Sequence, residues 1–216
     1  MAARRLYAES VSFTIGFDLD MTLIDPRAGM IAVFDVLGRE FDLPLDGVGF
    51  ASRLGPPLAH ELARYHLDAD QVAAIIARYR AIYPGIAIPR TVPMPGAVAA
   101  LESVTARGGQ ALVVTAKYGP TAQAHLDAMG VRVAAVVGDL WSVGKAVALQ
   151  EYGAEVYVGD HLGDINGARA ADALAVAVAT GPISAADLAA AGADVILQDL
   201  TAFPEWLDSY LLATVH

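Results

Sequence analysis

Short, continuous apolar runs rich in β-branched residues recur along this chain, and helix-like segments alternate with them. The runs are Ser12–Leu19, Gln110–Thr115, Val133–Val137, Glu155–Gly159, Leu174–Val178 and Asp194–Leu197. Runs of this kind, without polar alternation, are expected of strands covered on both faces. Between them lie helical patterns at Ala97–Ala106, Thr121–Met129, Val143–Tyr152, Ile165–Ala171 and Ser184–Ala191. Gly108–Gly109, Gly130, Gly153 and Gly192 stand where several of those helices should stop. The alternation predicts an α/β fold: a Rossmann-like parallel sheet with helices on both sides.

One interval breaks the alternation. From Pro26 to Pro93 there is helical pattern only, at Gly29–Phe41, Pro57–Leu67 and Ala69–Tyr83. The third reads DADQVAAIIARYRAIY, with apolar residues at helical spacing. Pro84, Pro89, Pro93 and Pro95 then mark the return to the sheet. The expected organisation is a core of residues 1–25 and 93–216, with a helical insertion at 26–92 after the first strand.

At 216 residues and 56% hydrophobic, the chain has the material for a substantial core. A formal net charge of -10 argues against nucleic acid as a partner, since that binding leans on clustered Lys and Arg. A small phosphorylated metabolite remains compatible with it. The absence of cysteine excludes disulfides, thiolate zinc sites and a cysteine nucleophile. MAARRLYAES has two arginines but no apolar segment behind them, and no apolar stretch approaches the roughly 18 residues of a membrane span. The expectation is a soluble, cytoplasmic protein without a membrane partner. Nothing in the pattern specifies an oligomeric state.

In open α/β sheets, ligands sit outside the carboxyl ends of the strands. The first run ends in Asp18 and Asp20, within GFDLDMTLID. The second ends in Thr115, and the fourth in Asp160, with Asp164 following. Lys145 opens the helical pattern before the fourth run. Each residue alone has a structural explanation: a turn or cap for the aspartates, a β-former for Thr115, a solvated helix position for Lys145. Together, four acids, a hydroxyl and an ammonium converge on one edge. Buried carboxylates repel one another unless something positive compensates them. An oxygen-only donor set without Cys or clustered His suits Mg²⁺, which takes a few carboxylates, waters and phosphate oxygens.

DLDMT at Asp18–Thr22, VVT at Val113–Thr115, Lys145 and GDHLGD at Gly159–Asp164 resemble, in order, the four motifs of the haloacid dehalogenase superfamily. The helical insertion resembles that superfamily's type 1 cap. SRLGPPL at Ser52–Leu58 and TAK at Thr115–Lys117 are similar to its phosphoglycolate phosphatases. The chain departs from the pattern at Met21, where most relatives have Gly, and Lys145 lacks their proline-rich surroundings. The resemblance implies a Mg²⁺-dependent phosphatase working through an aspartyl-phosphate. Asp18 is then the nucleophile and Asp20 the general acid and base. Thr115, Ala116 and Lys117 bind substrate, and Lys145 neutralises charge. Asp18, Asp160, Asp164 and the carbonyl of Asp20 serve the metal, with Asp164 in the outer shell and orienting Lys145. Thr22 steadies the turn. Arg53, beside a Gly-Pro-Pro turn, is the expected grip on a substrate carboxylate.

Other readings fit less well. A 2-haloacid dehalogenase needs no second acid, and Asp20 is present. A sugar-phosphate mutase shares all four motifs. A phospho-aspartate switch module carries its acid on the third strand and lacks a helical insertion. GDLWSVGKA has the wrong spacing for a P-loop and Ala146 where Ser or Thr is needed. His161 is expected either to line the site or to sit on a surface loop.

Overall fold

The computed structural model describes residues 13–214. The MAARRLYAES segment and Ser12, the first residue of the first expected strand, lie outside the described residues. In chain order the strands are β1 (Thr14–Phe17), β2 (Ile24–Asp25), β3 (Val92–Pro93), β4 (Gln110–Val114), β5 (Ala135–Val137), β6 (Ala154–Gly159), β7 (Leu174–Val178) and β8 (Val195–Leu197). Before the return to the sheet come helices α1 (Arg27–Phe41), α2 (Gly47–Ala51), α3 (Leu58–Leu62) and α4 (Ala69–Ile86). After it come α5 (Ala97–Ala106), α6 (Gly119–Met129), α7 (Ala146–Glu151), α8 (Leu162–Ala170), α9 (Ala185–Ala190) and α10 (Phe203–Thr214).

Six strands form one parallel sheet in the order β5-β4-β1-β6-β7-β8. β1 is central, flanked by β4 and β6, so the direction of winding reverses beside it. That reversal opens a crevice at the carboxyl ends of β1, β4 and β6. One face of the sheet packs under α5, α6 and α10 through Phe17, Val113, Leu126, Phe203 and Leu207. The other packs under α7, α8 and α9 through Leu112, Leu149, Tyr157, Ile165 and Leu188. Burial on both faces explains why the strand sequences are apolar throughout rather than alternating.

Helices α1–α4 fill the interval after β1 and surround a cluster of their own, which includes Phe34, Leu37, Phe50, Leu62, Ile75 and Tyr83. The antiparallel pair β2–β3 joins the chain leaving the sheet to the chain returning. The third helix of the sequence reading runs past its expected end, through Pro84 to Ile86. Tyr83 and Ala87 are fully buried, and Ala87 N donates to Tyr83 O at 2.8 Å or less, so packing carries the helix over the proline. The Asp68 carboxylate and Gln71 form a reciprocal cap at the start of α4.

Helix α10 and the two-residue β2 and β3 lie outside the sequence expectations. Lys145 does not open a helix. It closes a 3₁₀ turn at Ser142–Lys145, and α7 begins one residue later. Among the described residues, no helix is long and apolar enough to cross a membrane.

Candidate active site

β1 ends at Phe17, and Asp18 N still donates to Val158 O at 2.8 Å, so the first acid leaves the sheet already clamped to β6. The chain then turns tightly: Leu23 N and Ile24 N both donate to Leu19 O. Met21 takes a left-handed backbone at φ 63°, which explains the glycine preference noted for relatives at this position. Here a methionine accepts the strain and is repaid by burial, at 3% exposure, against the core of the helical insertion. The turn sends the Thr22 hydroxyl onto Asp160 Oδ1 at 2.9 Å.

β6 brings the second group. Asp160 follows Gly159, and α8 starts two residues later. The sequence reading allowed Asp164 as the cap of this helix, but the cap is His161. Its Nδ1 accepts from Gly163 N, while Asp164 Oδ2 accepts from His161 N at 2.9 Å. His161 is half-buried beside Trp141, and burial pushes its imidazole below its ordinary pKa. Two glycines make room for the acids. A Cβ at Gly159 would collide with the Asp164 carboxyl group, and one at Gly181 with the Asp160 carboxylate.

Asp18, Asp160 and Asp164 therefore converge, all buried, each offering a carboxylate oxygen within 4.8 Å of the others. Lys145, 1% exposed, answers them. Its Nζ donates to Asp18 Oδ1 at 2.8 Å, to Asp164 Oδ1 at 2.6 Å and to the Tyr157 hydroxyl at 2.7 Å. Those three bonds use all the protons of an ammonium. Burial disfavours the Lys145 charge, yet Asp164 and Asp18 outweigh it and hold the group protonated well above its usual range. Tyr157, in turn, donates to Val114 O at 2.6 Å. Nothing in the apolar run VYVG marks this tyrosine as part of a polar network. Only the neighbouring strand and helix reveal it.

One ammonium cannot balance three carboxylates. Burial first, offset in part by Lys145 and reinforced by Asp164, pushes Asp18 up to about 7. Burial and the Asp164 and Asp18 charges push Asp160 well above the usual carboxylate range. Asp164 has both oxygens engaged by donors, whereas Asp18 and Asp160 each keep an oxygen that no hydrogen bond among the described residues engages. An all-oxygen trio short of positive charge, with those two oxygens uncommitted, fits a hard divalent cation.

Asp20 faces elsewhere. Its Oδ2 accepts from Lys117 Nζ at 2.8 Å, and its Oδ1 is buried without a hydrogen-bond partner among the described residues. Lys117 sits 4.8 Å from the Tyr83 ring centre. Burial opposes its charge, but Asp20 raises its pKa on balance. Thr115, fully buried, accepts from Lys117 N at 3.3 Å and so shapes the turn after β4. Asp20, Ala116 and Lys117 border a cavity of about 180 Å³ between the sheet's edge and the helical insertion. Its opposite wall is largely apolar, with Met30, Phe50, Leu54, Ile76 and Tyr79.

Arg53 is not brought to that cavity. It donates to Glu61 Oε1 at 2.8 Å and borders a separate hollow of about 170 Å³ with His60 and Arg64. Glu61 is 6% exposed, and a carboxylate that buried requires a cation. The turn beside Arg53 does reach the cavity, but through Gly55, Pro56, Pro57 and Leu58 rather than through the arginine. Gly55 also packs against the His161 ring, where a Cβ would come within 2.7 Å.

The haloacid dehalogenase-like hydrolase family matches residues 15–169. A phosphoglycolate phosphatase from Rhodospirillum rubrum is 30% identical to this chain over 215 residues, covering 88% of this chain and 89% of that protein. A phosphoglycolate phosphatase from Caulobacter vibrioides is 28% identical over 212 residues, covering 89% of each. Among solved structures, a predicted phosphatase from Clostridium acetobutylicum superposes with a TM-score of 0.79 at 22% identity, covering 91% of this chain and 98% of that one. A haloacid dehalogenase-like family hydrolase from Streptococcus pneumoniae superposes with a TM-score of 0.76 at 24% identity, covering 92% and 98%.

Proposed function

Because the chain belongs to the haloacid dehalogenase-like hydrolases, we propose that it is a Mg²⁺-dependent phosphatase of small phosphate monoesters, with phosphoglycolate as the leading substrate. The observation that carries this reading is the buried Asp18–Asp160–Asp164 trio, held by Lys145 and set beside an Asp20 that borders the cavity. The relatives named phosphoglycolate phosphatase support the substrate class.

Asp18 and Asp160, with the carbonyl of Asp20, hold the cation, and Asp164 supports it from behind. Bound there, the cation offsets the charge of the acids and of the phosphoryl group. Asp18 attacks phosphorus through a carboxylate oxygen, and the P–O bond to the leaving alcohol breaks. Lys145 is the fixed positive charge beside the attacking carboxylate, and the Thr115 loop binds phosphoryl oxygens. Asp20 gives its proton to the departing alkoxide. It then takes a proton from the water that hydrolyses the aspartyl-phosphate, releasing inorganic phosphate and regenerating both acids. Residues 26–92 act as a cap over the crevice and exclude solvent from it.

Phosphate release from phosphoglycolate and from p-nitrophenyl phosphate tests the reading. Activity is expected with Mg²⁺, lost in EDTA and restored by Mg²⁺ or Mn²⁺. Asp18→Asn is expected to abolish it. Undiminished hydrolysis in EDTA, or turnover by the Asp18→Asn protein above a few per cent, would remove the proposal.

A further inference from the structure

The cavity has two cationic side chains in its wall, and they are not equivalent. Lys117 is buried and committed to Asp20. Arg80 is not part of any motif. It lies on α4, one residue beyond Tyr79 and four beyond Ile76, on the helix face that the cavity exposes. Its guanidinium reaches across from the helical insertion and lies 4.0 Å from the centre of the Tyr118 ring. One of its nitrogens donates to Asp139 Oδ1 at 3.1 Å. Tyr118 and Asp139 belong to two loops tied together, because Asp139 N donates to Lys117 O at 2.9 Å.

Three features make this pair a poor resting state for an arginine. The bond is single, although a guanidinium fork suits a carboxylate through two. Both side chains are about half exposed, 42% and 55%, and ion pairs in such settings contribute little. Asp139 also holds a left-handed backbone at φ 59°, a conformation that non-glycine residues enter at some cost. By contrast, the stacking on Tyr118 fixes the plane of the guanidinium while leaving its edge free to bond.

We infer that Arg80 is the specificity-determining residue for a carboxylate on the leaving group of the substrate, and that Asp139 holds its place until substrate arrives. The inference rests on the phosphatase reading and deepens it by naming the substrate class: phosphate monoesters with a second, carboxylate anion. Phosphorus sits by Asp18, the bridging oxygen faces Asp20, and the leaving group extends into the cavity toward Arg80. The carboxylate displaces Asp139 and forms the paired bond that Asp139 does not. Because Arg80 is carried by the insertion and the phosphate by the sheet, one substrate ties the two together.

Arg80 and Asp139 are partners, so a merely structural link between insertion and core would make both substitutions act in the same direction. Substrate recognition makes them act oppositely. The experiment measures kcat/KM for 2-phosphoglycolate and for 2-hydroxyethyl phosphate, which is similar in size but lacks the carboxylate. It compares wild type, Arg80→Gln, Arg80→Lys and Asp139→Asn. The readout is the ratio of the two kcat/KM values, with p-nitrophenyl phosphate turnover reporting whether the protein is a phosphatase at all.

Arg80→Gln is expected to lower the ratio by at least about tenfold, the 1.4 kcal/mol of one charge-assisted contact, through KM for phosphoglycolate. Arg80→Lys, with a charge but no fork, is expected to fall between. Asp139→Asn is expected to raise the ratio about two- to fivefold, since it removes both a competitor and a like charge from the wall. A ratio moved in the same direction by Arg80→Gln and Asp139→Asn, or by neither, overturns the assignment while leaving the phosphatase reading intact. Absence of turnover on all three esters by wild type overturns the phosphatase reading itself and the inference with it.

Discussion

Replacing Asp18 by asparagine should stabilise the metal-free protein, and increasingly so as the pH rises. Burial and the neighbouring Asp164 push Asp18 from its ordinary 3.8 to about 7, despite the opposing pull of Lys145. Between those two values the unfolded chain has already released this proton and the folded chain still holds it. The unfolded state thus binds fewer protons, and the free energy of unfolding falls as pH rises through that window. At 1.36 kcal/mol per tenfold change in proton affinity, the charge on Asp18 costs the folded state about 4 kcal/mol at pH 8, of which roughly 2.5 kcal/mol develops above pH 5. Asparagine keeps an acceptor for Lys145 but sets an amide N–H₂ near an ammonium, so about half of that gain, ~2 kcal/mol, is the expectation. For a chain of this length that is a rise in Tm of about 4–8 °C at pH 8 in EDTA, with the gap narrowing by about 3–5 °C at pH 5. Thermal unfolding of both proteins in EDTA across pH 5–8 measures it. His125, buried beside the Tyr83 hydroxyl and pushed down to about 4 chiefly by burial, bends both curves the opposite way and cancels in the difference. Saturating Mg²⁺ should close the gap, because wild type then gains binding energy that the variant lacks. A variant no more stable than wild type at pH 8 in EDTA would show that Asp18 is not an uncompensated buried charge.

Two further substitutions probe the supports of the site. Tyr157→Phe takes one of three acceptors from Lys145 and a donor from Val114 O, and should cost about 1–3 kcal/mol in a urea titration; an unchanged midpoint would mean that the hydroxyl network does not hold the lysine. Gly181→Ala places a methyl group on the Asp160 carboxylate at a position with an ordinary backbone angle, so its effect is steric and local. Calorimetric Mg²⁺ affinity should fall at least about tenfold while the circular dichroism spectrum stays as in wild type, and unchanged affinity would argue that Asp160 takes no part in holding a cation.

How much of this was legible beforehand follows from the range of the forces involved. Strands β1, β4, β6 and β7 were readable because burial on both faces demands uninterrupted apolar runs, and a run is a local property. Helix stops at Gly130, Gly153 and Gly192 were readable for a similar reason: each takes a positive φ, which glycine adopts without strain. That Asp18, Asp160 and Thr115 stand at one edge followed from parallel strands all ending on the same side. Helix α10 escaped notice, since FPEWLDSYLL follows a 3₁₀ turn rather than a strong helix signal, and what fastens it is Phe203 and Leu207 in the core.

The positions of long side chains were not legible, and they carry most of the proposals. The residues around Arg53 suggested a turn aimed at a substrate, yet the buried Glu61 takes the arginine and the turn itself borders the cavity. Lys117, Tyr157 and Arg80 acquire partners 97, 12 and 59 residues away. The chain's local pattern determined that acids would gather where strands end, because backbone geometry and burial act between near neighbours. Which cation answers each acid was decided only by the folded structure, because electrostatic pairing depends on distance in space and on exclusion of water, and neither exists until the helical insertion has closed over the sheet.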